Sequence, residues 1–152
     1  MTEKRPKTIL CAVRGGPETR DTVTYAIELA LEMGAGLTFF HAVDAEFLNH
    51  ATIGPLSVVY REMVEMGQFI MLILCDRAER RGVSEVNCIV REGNVRNLIR
   101  QAAIDTHAEL MVMGRPIRSP GSNVFKTGEI AEFATSLEVE GELRLVFPPQ
   151  SS

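Results

Sequence analysis

Cysteine is scarce and unpaired here, with three in 152 residues, Cys11, Cys75 and Cys88, each inside an apolar pattern. An odd number without metal-ligand spacing argues against a disulfide framework or a metal cage, and points to reduced core thiols in a cytoplasmic protein. Long apolar runs are missing too. The longest, Phe69–Cys75, is far too short for a bilayer. Lys4, Arg5 and Lys7 lead straight into a strand-like run rather than an apolar leader with a small-residue cleavage site, so neither a signal peptide nor a membrane partner is expected. An excess of positive charge is also lacking: the net charge is −4, which disfavours nucleic acid. His41, His50 and His107 share no spacing, no serine sits in a nucleophile motif, and no carboxylates are paired. No catalytic residue and no metal ligand is therefore assigned.

What is present is an ordinary globular composition, 45% hydrophobic and 24% charged, of a length that suits one domain over residues 1–152. Its ordered core is expected over about residues 7–148. Thr8–Val13 is a continuous apolar run, as in a strand buried on both faces. Arg14-Gly15-Gly16 ends it, and Pro17 suits the first turn of a helix with Ala26, Leu29, Ala30 and Met33 on one stripe and Gly34 at its C-terminal stop. Leu37–Val43 is a second strand. Pro55 then opens a helical segment running to Arg81 and closed by Gly82; unbroken, it would be about 40 Å long. Gly67, inside it, marks a bend or a close contact. Phe69–Cys75 is apolar on every side, which suggests a second burying surface such as a subunit.

Ser84–Arg91 sets Val86, Cys88 and Val90 against Asn87, Ile89 and Arg91, an alternation suited to an edge strand. Gly93-Asn94 supplies a turn and N-cap for a third helix with Val95, Leu98, Ile99, Ala102 and Ala103. Leu110–Met113 is a fourth strand, and a fourth helix from about Thr127 presents Ile130, Phe133, Ala134 and Leu137 before Gly141. Leu143–Phe147 is a fifth strand, ended by Pro148-Pro149. This alternation of strand and helix predicts an α/β fold, a doubly wound five-stranded parallel sheet with helices on both faces.

The loop after Leu110–Met113 carries Gly114, Arg115, Arg118, Ser122, Asn123, Lys126 and Gly128 before the next helix. A strand, a glycine- and arginine-bearing loop and a helix form the layout that binds anions in open α/β sheets. The same arginines also read as solvated residues paired with Glu18 or Glu129, and Ser122 and Asn123 as caps or turn residues. Three familiar uses of the architecture fail. Arg14-Gly15-Gly16-Pro17-Glu18 is no dinucleotide fingerprint, no phosphate loop of the G-x4-G-K-[S/T] kind occurs, and the first strand ends in Arg14 rather than the acids of a phospho-receiver.

From Thr8 to Phe147 the chain resembles the universal stress protein family. The resemblance lies in ILCAVRGGPE, in the strand ending His41-Ala42-Val43, in the Arg91-Glu92-Gly93-Asn94 turn, and above all in Met113-Gly114 through Thr127-Gly128-Glu129 to Phe133. Nucleotide-binding members carry G-x2-G-x9-G-[S/T] in that last segment. The resemblance implies strand order 3-2-1-4-5, a homodimer through Leu143–Phe147, an adenine held by backbone near Val43, and phosphates of AMP or ATP against the loop after Gly114. The site it implies comprises Val13, Arg14, Gly15, Val43, Met113, Gly114, Arg115, Arg118, Ser122, Asn123 and Gly128.

Departures from the pattern accompany the match. Arg14 replaces the family Asp, Ile117 replaces the second motif glycine, the run from Gly114 to Gly128 is one residue longer, and Glu129 stands where Ser or Thr is usual. Glu129 falls in the first turn of a helix, where a carboxylate is favoured by roughly 0.3–1 kcal/mol and takes the slot of a phosphate. The sequence thus predicts a regulatory, stress-response protein with a modified, vestigial nucleotide site. An AMP/ATP-binding switch of the same family is the alternative. An adenylate-forming enzyme ranks third, because Arg14-Gly15-Gly16-Pro17 lacks the Ser-Gly-Gly-x-Asp-Ser loop expected of that class. The sequence names no client, pathway or inducing stress.

Overall fold

The computed structural model describes residues 8–13, 19–44, 55–114 and 144–146. Among these, strands β1 (Thr8–Ala12), β2 (Gly36–Asp44), β3 (Val86–Gly93), β4 (Leu110–Met113) and β5 (Arg144–Val146) alternate with helices α1 (Thr19–Met33), α2 (Pro55–Arg81) and α3 (Val95–Asp105). The expected parallel α/β architecture is what the chain adopts. The strands lie in the order β3-β2-β1-β4-β5, every neighbour pair is parallel, and β5 contributes three residues. The helix expected from Thr127 lies outside the described residues.

The apolar run of β1 is buried on both faces because alternate side chains enter different cores. Ile9 and Cys11 join Val23, Ile27, Leu37, Phe39, Met71 and Val112 beneath α1 and α2. Leu10 and Ala12 join Phe40, Ile99, Ala102, Ala103, Met111 and Met113 beneath α3. A one-residue slip in register would exchange the two sets, so burial itself holds the register. Phe39 and Phe40, adjacent on β2 and both almost wholly buried, fill one layer each.

Two helices end as their glycines suggest. Gly34 adopts φ 64° and Gly82 φ 107°, and the amides that follow close back onto the last turn, Ala35 to the Ala30 carbonyl at 2.9 Å and Val83 to that of Ala78 at 3.1 Å. Asn94 caps α3 by accepting the Asn97 amide at 3.1 Å. At the other end His107 takes the left-handed conformation, φ 53°, where glycine is usual.

Strand limits differ from the pattern at several ends; β2, for one, is Gly36–Asp44 rather than Leu37–Val43. β3 begins at Val86, not Ser84, and runs on to Gly93, because its register with β2 continues through Asp44↔Gly93. It is an edge strand, as its alternation predicts: Val86, Cys88 and Val90 pack on the α1/α2 side and Ile89 on the α3 side. β1 stops at Ala12, although the amide of Val13 still reaches the Phe40 carbonyl at 2.7 Å.

Candidate functional site

Because β1 lies between β2 and β4, the chain winds outward in both directions from it, and the C-terminal ends of β1 and β4 adjoin at the switch point. The register is Ala12↔Met113, so the next residues, Val13 and Gly114, leave the sheet side by side. In open α/β sheets, ligands bind in the crevice outside the carboxyl ends of the strands at such a switch point. Val13, Val43 and Met113 floor this end of the sheet and are all buried, while Gly114 is half-exposed.

Of the residues the sequence nominates, the structure brings together Val13, Met113 and Gly114, with Val43 at the end of the adjacent β2. Arg14, Gly15, Arg115, Arg118, Ser122, Asn123 and Gly128 lie outside the described residues. Val13 enters with its hydrogen bonding partly spent. Its amide donates to Phe40, and its carbonyl accepts from His41 Nδ1 at 2.9 Å. A carbonyl can only accept, so Nδ1 carries the proton of this bond. Any ligand in the crevice therefore finds the Val13 amide already used, while the carbonyl keeps a second lone pair that can accept.

His41 makes the structural hydrogen bond that its strand position suggests, from Nδ1 to the Val13 carbonyl. Its ring also explains Gly67. A Cβ built there would stand 3.0 Å from His41 Cδ2 and 3.4 Å from Nε2, so Gly67 marks a close contact of α2 with β2. The sequence flags each residue, but no local spacing relates two positions on different elements. A glycine inside an otherwise strong helix was the available signal.

The thiols are placed for packing. Burial pushes Cys11 up to about 12 from 9.0, and Cys75 likewise to about 12, through burial first and then a hydrogen bond and charge interaction with Cys88. Neither is a thiolate nucleophile near neutral pH. Among the described residues no group of three or more His, Cys, Asp or Glu side chains is placed to hold a metal ion, and no helix is long and apolar enough to cross a membrane.

The family model described as the universal stress protein family matches residues 6–133. A universal stress protein from Lactobacillus plantarum has the same fold, with a TM-score of 0.71 at 18% identity over 97% of this chain and 100% of that one. One from Burkholderia pseudomallei gives 0.65 at 22%, over 94% and 96%. A universal stress protein in complex with cAMP gives 0.59 at 15%, over 95% and 97%. At these identities the likeness speaks to fold alone. The sequence has no significant match among curated proteins.

Proposed function

The chain belongs to the universal stress protein family, and from that premise we propose that it is a regulatory, stress-response protein whose crevice at the ends of β1 and β4 is a modified adenine-nucleotide site. The observation that carries this reading is the Ala12↔Met113 register, which sets Val13 and Gly114 side by side at the switch point. In this proposal Val13, Val43 and Met113 offer apolar surface to a base. Gly114 leads into Arg115, Arg118, Ser122, Asn123 and Gly128, with Arg14 and Gly15 opposite, as an anion cradle.

The charges of that cradle favour a small anion held without metal. Arg14 brings a cation where a magnesium-binding carboxylate would serve a triphosphate, and Glu129, in the first turn of the helix that the sequence predicts from about Thr127, would add a carboxylate. Two like charges at 4 Å cost about 1 kcal/mol in water and more once desolvated. The proposed site has accordingly lost triphosphate binding. Titration calorimetry with magnesium-ATP tests this, the expected result being no submicromolar binding; a clear submicromolar isotherm overturns it.

The second reading is a switch that still binds AMP or ATP. It is favoured by the fold's occurrence in a complex with cAMP, a nucleotide with a single phosphate group. Mass spectrometry after mild denaturation separates the two: a co-purifying adenine nucleotide supports the switch, and its absence supports the vestigial site. The same proposal places the protein in the cytoplasm, consistent with its free cysteines, and makes it a homodimer through the β5 edge.

A further inference from the structure

The feature that the crevice leaves unexplained is α2. Its inward face, Gly67, Met71, Leu74, Cys75 and Ala78, is buried under the sheet at helical spacing. The opposite face is nearly as apolar, yet open: Phe69 is 65% exposed, Met66 and Leu72 62%, Ile73 51% and Ile70 42%. Glu62, Glu65, Met66, Phe69 and Ile70 line a shallow groove of about 370 Å³ there. Five large apolar side chains in consecutive turns form a contiguous patch of the kind that marks an interaction surface.

We propose that this face pairs with the same face of a second copy of the chain, the two α2 helices running antiparallel about a two-fold axis level with Met71. The charges flanking the patch select this occupant. Glu62 and Glu65 precede it, both exposed, and Arg77, Arg80 and Arg81 follow it. In an isologous contact residue i meets j and j meets i. With the axis at Met71, Glu62 faces Arg80 of the partner subunit, Glu65 faces Arg77 of the partner subunit, and Phe69 packs on Ile73 of the partner subunit. A parallel arrangement would instead stack Glu62 and Glu65 on their own copies. Arg80 holds Asp76 at 2.9 Å, but a guanidinium has five N–H donors and accommodates a second carboxylate. Arg77 uses one donor on Thr24, at 3.0 Å, which also fixes α2 against α1.

This pairing is independent of β5, which lies at the end of the sheet. Sedimentation equilibrium on the full chain tests it with two variants, Phe69→Glu and Val146→Lys, each checked for native circular dichroism. Phe69 is mostly exposed, so the fold of F69E should be unaffected. Its dissociation constant should rise about a hundredfold, as for loss of an interface anchor. Glu62→Arg should weaken pairing as well, and adding Arg80→Glu should restore it. Orientation is read by mixing Glu62→Cys with Arg80→Cys and adding a short thiol cross-linker: a link between unlike variants is expected. Links between like variants overturn the antiparallel arrangement. A wild type that stays monomeric, or an F69E variant with unchanged mass, overturns the interface itself, including the outcome in which this face serves a different protein.

Discussion

At Cys11, buried with no exposed surface among Ile9, Val23, Ile27 and Phe39, the protein withholds the water that would solvate a thiolate, and the thiol moves from 9.0 to about 12. The unfolded chain loses that proton near 9 while the folded chain keeps it, so between these values the folded state binds more protons. Stability is therefore fully present below pH 9 and falls as pH rises toward 12, by on the order of a few kcal/mol. Chemical denaturation across that window should show a smaller loss for Cys11→Ala than for the wild type, each measured against its own neutral value. Equal losses would mean that other groups carry the alkaline transition. The core role of Cys11 was legible because the residue sits in an uninterrupted apolar run. The S–H contact between Cys75 and Cys88 was not, since it joins a helix to a strand and leaves no local pattern.

Where α2 crosses β2, two effects of similar size oppose each other. Alanine in place of Gly67 gains about 0.8–1 kcal/mol of helix propensity. The same substitution puts a Cβ 3.0 Å from a His41 ring that its bond to Val13 holds in place. Overpacking of that kind costs about 1–3 kcal/mol, so Gly67→Ala should destabilise by about 1 kcal/mol. In a His41→Ala background the clash disappears, and the same substitution should stabilise. Thermal melts of the four-member cycle measure this coupling, and identical effects of Gly67→Ala in both backgrounds would refute the contact. Elements of this size were readable in the sequence, because apolar periodicity, the stops at Gly34 and Gly82 and the N-cap at Asn94 arise from local geometry. Their ends were less so. β3 extends to Gly93 because β2 offers ladder partners that far, a fact about a neighbour and not about residues 84–93.

The parallel α/β class followed from alternating strand and helix patterns, and the adjacency of β1 and β4 followed from the family resemblance. Of the candidate site, Val13, Val43 and Met113 came with the family resemblance, and the structure has all three buried at the ends of their strands. The loop carrying Arg115 and Arg118 lies outside the described residues, and glycines and arginines in a loop do not by composition specify where their groups point. As for assembly, β5 closes one side of the sheet and leaves a strand edge for a symmetric partner. Val146 packs against the core beneath α1 and α2, so Val146→Lys is read only where circular dichroism stays native; there the sedimenting mass should halve, and an unchanged value counts against β5 as an interface. The central position of β1 has a consequence of its own. Leu10, Cys11 and Ala12 are laddered to strands on both sides and covered on both faces, so their amides exchange with solvent deuterium only when the whole molecule opens. Nucleotide at the crevice would slow exchange in the surrounding loops relative to this floor, whose own rate reports global stability and serves as the internal clock for the measurement.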